Sequence, residues 1–586
     1  MTGPIEWPDG GPPRSRRFGD LYYSAQDGLA EARQVFLAGC GLTDTWCDAR
    51  AFTVAELGFG TGLNIAALLD LWRRDGPSDG RLSIFSIEAF PVGAPDTARA
   101  LSTWPELAPV ADILVARWPG QARGFHRVDL PEFRATLDLA VMEAAEALES
   151  WSGAADAWFL DGFSPACNPE MWRPQVLAVL AARSAPGARL ATYTAAGEVR
   201  RGLAAAGFEV ERAPGFGRKR HRLEGRAPGE RPSASAPPRV AIIGAGIAGV
   251  SLARAFAALG ATAQIYDAET PSASAGPAAL VTPRLDAGLA APARLFAQAF
   301  ARARMVYAET PATIIAEGAL QLAVGPKDAR RFAAIAGSDL FEPGEMRVID
   351  AAEASKRLAE AAPAALAIAG ALVVDPAALL AVGAARARIS RLDCHDGLWR
   401  LFDEAGAPIG DAEVVCVAAG MASAALAPGL PLRPVRGQAS FAPGAEVPET
   451  VLFGGYVAPA PGGAIFGATH DRDDEGLEAR TLDHRRNLEA VAEVLPALAS
   501  RLEGPALEAR VGVRATTSDY LPLAGRAGPP GLFVLTGLGS RGFTLAPLLA
   551  EHVAALALGR PSPLPTPLAD LVDPARFARR ARRRGQ

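Results

Sequence analysis

Cysteine is scarce and unpatterned in this chain of 586 residues: Cys40, Cys47, Cys167, Cys394 and Cys416 are five in number, and no two are spaced C-x-x-C. An odd count without short spacings in a long chain argues against a disulfide framework or a thiolate zinc site and fits a reducing compartment. The six histidines are scattered with no H-x-x-x-H pair, so no metal is expected. The N-terminal stretch lacks a basic segment followed by an apolar one, so no signal peptide is expected. The most apolar long window, 361–387, is broken by Asp375-Pro376 and reads as Ala-rich buried structure, not a membrane span. A global excess of basic charge is also missing. Lys and Arg total 59 against 64 Asp and Glu, a net charge of −5, so any polyanion must be held by local patches. These absences together predict a soluble, cytoplasmic protein without metal; a monomer is expected, though nothing in the composition decides it.

What is present is enough apolar material for large cores: 49 % of residues are hydrophobic and 21 % charged. At roughly 100–200 residues per domain, the length calls for two large domains or several smaller ones. The stretch "EGRAPGERPSASAPPR" (224–239) is rich in Pro, Ser, Ala and Gly with no apolar period, which is linker composition. The expected division is a first domain over 1–225, a linker over 226–238, a second domain over 239–572 and a basic tail over 573–586. Local basic clusters stand at Arg14, Arg16 and Arg17, at Arg218, Lys219, Arg220, Arg222 and Arg226, and at Arg576, Arg579, Arg580, Arg582, Arg583 and Arg584. Charge alone leaves two readings open, solvated flanks or phosphate contacts on a nucleic acid.

Each large domain opens with a glycine-rich turn. In "FTVAELGFGTGLNIAALLDLW", a short apolar strand containing Glu56 runs into Gly58, Gly60 and Gly62, then a helix from Leu63. Alternate glycines let the backbone turn sharply and approach a ligand, and the helix N-terminus presents free N–H groups to it. The spacing resembles the S-adenosylmethionine motif of Rossmann-like methyltransferases. The next strand ends in Glu88, placed to accept from ribose hydroxyls, and Glu143 stands where such enzymes often hold an acid against the adenine amine. In "DAWFLDGFSPACNPEMW" (156–172) a later apolar strand ends at Asp161, on the sheet edge where ligands sit. Asp161 reads either as a group that orients an amine or takes its proton, or as a cap on the following helix.

The second turn, in "RVAIIGAGIAGVSLARAFAALGATAQIYDAE", has Gly244, Gly246 and Gly249 between a strand and a helix, and a second strand ending at Asp267, eighteen residues on. That context makes it a dinucleotide signature. The C-terminal "GLFVLTGLGSRGFTLAPLLAEHVAALALG" (531–559) returns as strand, Gly-rich turn and helix, which resembles FAD-dependent oxidases of the D-amino-acid-oxidase class. There Gly539, Ser540, Arg541 and Gly542 would face the flavin, where negative charge develops on reduction. Arg514, in Gly-Val-Arg, matches the position at which such oxidases clamp a substrate carboxylate.

Together the halves resemble one bifunctional family, the tRNA 5-methylaminomethyl-2-thiouridine biosynthesis proteins, MnmC. The resemblance covers nearly the whole chain and is carried by "RFGDLYYSAQDGLAEARQVFLAG" (17–39), "ELGFGTGLN" (56–64), the segment around Asp161, "TYTAAGEVRRGLAAAGFEV" (192–210), "GFGRKR" (215–220), "RGQAS" (436–440) and "GLGSRGFTLAPLLAE" (537–551). It implies an N-terminal Rossmann-like S-adenosylmethionine methyltransferase followed by an FAD-binding, D-amino-acid-oxidase-like α/β plus β-sheet domain. The FAD half would oxidise a carboxymethylaminomethyl side chain on a tRNA wobble uridine, releasing glyoxylate after imine hydrolysis, with Arg514 on the carboxylate. The other half would methylate the exposed amine beside Asp161. Arg218, Lys219, Arg220 and Arg222 would then contact the tRNA backbone. One departure stands out: the family's Gly-Ala-Ser-Gly-Asn segment along the flavin reads "SASAG" (272–276) here, with Ser272 and Ala275 in place of two glycines. Strain at Ala275 is expected, with FAD binding kept by the remaining elements. Two other readings remain open: a small-molecule amine oxidase fused to an N-methyltransferase, and a tRNA-binding scaffold with inactive sites.

Overall fold

The structure is a computed structural model that describes residues 4–9, 11–231, 236–503 and 506–584. Residues 232–235, inside the expected linker, lie outside the described residues. The chain forms two compact units, one made of Met1–Ala236 with Pro561–Thr566, the other of Pro237–Arg560 with Pro567–Gln586.

The first unit is built on an eight-stranded sheet. Its central strand, Ala51–Leu57, pairs in parallel with Arg81–Ile87 on one side and Ala155–Leu160 on the other. Both faces of the strand are covered, which is why Phe52, Val54, Ala55 and Leu57 are all buried and the run is apolar rather than alternating. Ala135–Val141 extends the parallel sheet beyond Arg81–Ile87, and Ser184–Thr192 extends it beyond Ala155–Leu160. Successive connections therefore leave the central strand in opposite directions. The crevice that this reversal opens, between the C-terminal ends of Ala51–Leu57 and Ala155–Leu160, is the usual ligand position in such sheets. The helix after the first strand, Leu63–Asp75, buries Ile65, Leu68, Leu69 and Trp72 against the sheet. Arg73 and Arg74 in its last turn complement the helix dipole and pair with Asp70.

The second unit holds a six-stranded sheet in which Ala263–Asp267, Val240–Ile243, Val414–Val417 and Leu532–Thr536 run parallel side by side. The C-terminal strand thus returns to the sheet that opens the unit, 289 residues from Ile243 to Leu532 along the chain. A ten-stranded mixed sheet supplies the rest of the unit; its longest strand, Arg433–Pro443, pairs antiparallel with Glu508–Thr516. The Ala-rich window at 361–387 resolves into the strand Ala365–Val374 and a turn of helix capped by Asp375. Among the described residues no helix is long and apolar enough to cross a membrane.

Candidate active sites

In the first unit the crevice is a cavity of about 790 Å³, lined among others by Gly58, Gly60, Glu88, Glu143 and Asp161. The glycines are required by geometry. Gly58 has φ +88°, and a Cβ there would lie 2.7 Å from the backbone N and Cα of Gly162, so the two strand ends meet with no room for a side chain. Glu88 ties the turn down: its carboxylate accepts from Gly60 N at 3.0 Å and from Phe90 N at 2.9 Å. Burial raises the Glu88 pKa, and these two donors oppose the rise.

Asp161 follows the last residue of its strand and faces the cavity. No helix begins at it; the next, Pro169–Trp172, has Asn168 at its cap position, which removes the capping alternative. Asn64 donates from Nδ2 to Asp161 Oδ2 at 2.7 Å and to Glu56 Oε1 at 3.0 Å, bridging two carboxylates with one amide. Ser86 donates to the other Glu56 oxygen at 2.6 Å. Burial pushes Asp161 up to about 7 and Glu56 up to about 8, so Asp161 changes charge near neutrality.

Two expected donor-binding residues are placed differently. Glu56 is fully buried and Gly62 packs against Trp118, where a Cβ would come within 2.8 Å of the indole; neither lines the cavity. Glu56 is instead the base of the Asn64 and Ser86 network. It sits on the central strand one residue before the strand's last, which turns its side chain into the sheet's packing layer. Asn64, in the quoted "GFGTGLN", carried no sequence signal for this role.

Of the basic turn, Arg218 and Arg220 are exposed, while Lys219 reaches the cavity wall. Arg222 does not fit the expected phosphate contact. Its guanidinium is buried, donates to Pro214 O at 2.6 Å and pairs with Glu224 at 2.5 Å, because its strand position, paired with Ala213 in the neighbouring strand, turns it inward. In the C-terminal cluster Arg576 is likewise buried against Asp519, whereas Arg582 and Arg583 are exposed.

In the second unit Gly244, Gly246 and Gly249 form the turn into the helix Ile247–Ala258. A Cβ at Gly249 would sit 1.8 Å from Gly244 O, so strand and helix pack at the closest spacing. Asp267, at the end of the next strand, accepts from Ala245 N at 3.0 Å and so holds its carboxylate against the same turn. The expected strain in the "SASAG" segment is absent: neither Ser272 nor Ala275 has positive φ. The segment closes on its own hydroxyls, Ser272 Oγ accepting from Ser274 N at 3.1 Å and Ser274 Oγ accepting from Ile247 N at 3.2 Å. Gly539, at φ +58°, and exposed Ser540 lead through Arg541 into the helix Gly542–Leu558. Arg541 donates to Thr282 O and Oγ1 at 3.1 and 2.9 Å, and burial lowers its pKa to about 10.

Arg514, on Glu508–Thr516, lies over Gly437 of the neighbouring strand: a Cβ there would come 2.3–2.5 Å from its guanidinium. The side chain donates to Thr469 O at 3.3 Å and has no carboxylate within ion-pair distance among the described residues. Burial lowers its pKa, and the nearby Tyr456 opposes that shift. A desolvated guanidinium without an acidic partner is a ready site for an anionic ligand. No group of three or more His, Cys, Asp or Glu side chains arranged for a metal occurs among the described residues.

Comparison with known proteins follows the same division. Residues 105–228 match the family described as S-adenosyl-L-methionine-dependent methyltransferase, and residues 239–556 match the FAD dependent oxidoreductase family. The chain is 56 % identical over 99 % of its length to the tRNA 5-methylaminomethyl-2-thiouridine biosynthesis bifunctional protein MnmC of Caulobacter sp. (strain K31), covering 98 % of that protein. It is 40 % identical over 99 % of its length to the protein of the same name from Maricaulis maris, covering 97 % of it. Among solved structures, iminodiacetate oxidase from Chelativorans sp. BNC1 matches 55 % of the chain and 96 % of its own at 26 % identity and a TM-score of 0.47.

Proposed function

Because the chain belongs to the MnmC family of bifunctional tRNA 5-methylaminomethyl-2-thiouridine biosynthesis proteins, we propose that its two reactions are carried by the two sites described above. The enzyme removes the carboxymethyl group from 5-carboxymethylaminomethyl-(2-thio)uridine oxidatively, using FAD, and then methylates the resulting aminomethyl group from S-adenosylmethionine. The observation that carries this is identity over the whole chain, since either half alone leaves the substrate open. The reading of a small-molecule oxidase is tested by turnover: tRNA from cells lacking the enzyme is a substrate, and a free N-alkylglycine is not. Efficient oxidation of the free amine with none of the tRNA would reverse the assignment.

The residues present fit both groups. At the glycine turns a Cβ at Gly58 or Gly249 would meet backbone, so each turn and the helix after it sit close against the strand ends, and Glu88 and Asp267 stand at the strand ends where ribose hydroxyls are held. Bound there, FAD would supply an acceptor for the hydride equivalent lost by the N–CH2 carbon, and S-adenosylmethionine would supply an electrophilic methyl group. Arg514 holds the substrate carboxylate through paired N–H donors, and Arg541 at the helix N-terminus keeps a fixed positive field at the second site. Asp161 receives the proton that the ammonium must shed before its nitrogen can attack, and Asn64 holds the carboxylate in place for it.

Gly58→Ala tests the first cradle. With φ +88° and the Gly162 backbone at 2.7 Å, the methyl group forces the strand ends apart. Calorimetric titration should show S-adenosylmethionine affinity lowered about tenfold or more, the strain being of order 1–3 kcal/mol. Unchanged affinity would mean the donor binds elsewhere.

Arg218 and Arg220 are proposed as tRNA backbone contacts, the set narrowed by the inward turn of Arg222 and by the pairing of Lys219 with Glu31 at the cavity wall. Replacing both with Ala should reduce the slope of log affinity against log salt by about 1.5, two phosphate contacts' worth. An unchanged slope would return the cluster to the role of a solvated turn. The transferase is taken as 1–225 and the oxidoreductase as 239–572; the change of compact unit at Ala236/Pro237 supports the break between them, while Pro561–Thr566 group with the first unit and the basic tail groups with the second. The enzyme is taken as a cytoplasmic monomer, which suits a free tRNA substrate.

A further inference from the structure

The wall of the methyl-transfer cavity already holds a primary alkylammonium, supplied by the chain itself. Lys219 Nζ lies 3.9 Å from the Tyr193 ring centroid and 3.2 Å from Glu31 Oε1. Tyr193 is fixed by donating its hydroxyl to Gly162 O at 2.9 Å, which anchors its ring to the turn that carries Asp161. Asp20 also lines the cavity, its carboxylate accepting from Leu21 N at 2.9 Å and from Ser164 N at 3.0 Å. Burial, then the carboxylates of Asp161, Asp20 and Glu31, hold the Tyr193 phenol above its ordinary pKa, so the ring stays neutral and its face attracts cations.

We propose that the Tyr193 face and the Glu31 carboxylate, with Asp20 beside them, form the subsite that recognises the substrate's primary ammonium, and that they exclude the carboxymethylated precursor. This rests on reading the cavity as the methyl-transfer site. The end group of a lysine and that of an aminomethyl uridine are the same, a methylene bearing an ammonium, so what seats Lys219 can seat the substrate. Lys219 is 49 % exposed at its side chain and is free to swing out when the substrate arrives. The precursor carries the same nitrogen with a carboxylate two bonds further on. Seated here, that anion meets Glu31, Asp20 and Asp161 with Lys219 displaced; the ammonium is common to both side chains, and the cavity's other cations are engaged elsewhere, Arg17 over the Phe90 ring and Arg173 against Glu170. Selectivity then comes from repulsion of the wrong side chain as well as attraction of the right one. It orders the two reactions without contact between the sites: the transferase waits until the carboxymethyl group is gone.

The test uses the full-length enzyme under nitrogen with its flavin chemically reduced, so that the precursor tRNA is not consumed. Two quantities are read: KM for aminomethyl-tRNA in methyl transfer, and Ki of carboxymethylaminomethyl-tRNA as a competitor. Glu31→Gln should raise KM about tenfold and lower Ki, collapsing the Ki/KM ratio by about a hundredfold, since juxtaposed like charge is relieved. Tyr193→Leu should raise KM about tenfold with kcat little changed, and Tyr193→Phe, which keeps the ring face, should rescue most of that loss. An unchanged Ki/KM ratio in Glu31→Gln, or an unchanged KM in Tyr193→Leu, overturns the inference. Asp161→Asn is run beside them. Full methyl transfer by that variant would overturn the reading of the cavity itself, whereas an inactive Asp161→Asn with an unchanged Glu31→Gln ratio overturns only the subsite.

Discussion

Asp161→Asn should cut methyl transfer by about 10²–10⁴-fold, the usual contribution of a positioned acid or base, while glyoxylate release from carboxymethylaminomethyl-tRNA proceeds at the wild-type rate. The substitution keeps an oxygen that can accept from Asn64, whose bond at 2.7 Å fixes the side chain, so the geometry survives while the proton acceptor is lost. The sign of the pH dependence follows from burial, which raises Asp161 to about 7. Only the ionised form can take a proton, so wild-type methyl transfer should rise with pH through about 7. Stability runs the other way. The folded state binds the Asp161 proton more tightly than the unfolded chain does, so between the ordinary aspartate range and about pH 7 this group's contribution to stability falls as pH rises. Above pH 7 the thermal midpoint of Asp161→Asn should therefore lie above that of the wild type. A more stable protein with one reaction lost is the signature of a group kept for function at a cost in stability. Loss of both reactions together, with a lowered midpoint, would make Asp161 a folding residue.

The second large effect concerns the other unit. Arg514→Met should lower kcat/KM for carboxymethylaminomethyl-tRNA by about 10³-fold, in the range for truncating a desolvated charge pair, and leave methylation of aminomethyl-tRNA unchanged. Arg514 has no acidic side chain at ion-pair distance among the described residues. Arg514 packs over Gly437 and gives one bond to Thr469 O, which leaves guanidinium donors for the substrate carboxylate proposed to bind there. Arg514→Lys should recover only part of the loss, because a point charge does not reproduce two parallel N–H donors. Steady-state kinetics with each tRNA as sole substrate separate the outcomes. An Arg514→Met enzyme with wild-type kcat/KM would send the carboxylate elsewhere.

Much of this was legible because each cofactor turn is local. Strand, glycines and helix are contiguous at 51–75 and at 240–258, and Gly58, Gly244 and Gly249 do stand where a Cβ cannot. Groups assembled from distant segments were not legible. Asn64 reaches a carboxylate 97 positions away, and Lys219 meets Glu31 across 188. Nothing in the spacing of Tyr193 or Glu31 marks them as neighbours of Asp161. Inside or outside was also underdetermined for single residues: Glu56 and Arg222 have the charge expected of ligand contacts, but their places in their strands turn them to internal partners. The "SASAG" segment misled for a different reason. Lost glycines strain a segment where it needs positive φ or a close approach to a ligand, and the first does not apply here, since serine hydroxyls close it with ordinary backbone angles.

One chain exposes an amine at one site and methylates it at another. Mass spectrometry of wobble nucleosides tests it most directly, after incubation of the enzyme with tRNA bearing 5-carboxymethylaminomethyl-2-thiouridine, with and without S-adenosylmethionine. The aminomethyl nucleoside should accumulate without the methyl donor and the methylaminomethyl nucleoside with it. Appearance of an N-methylated nucleoside that still carries its carboxymethyl group would contradict that order.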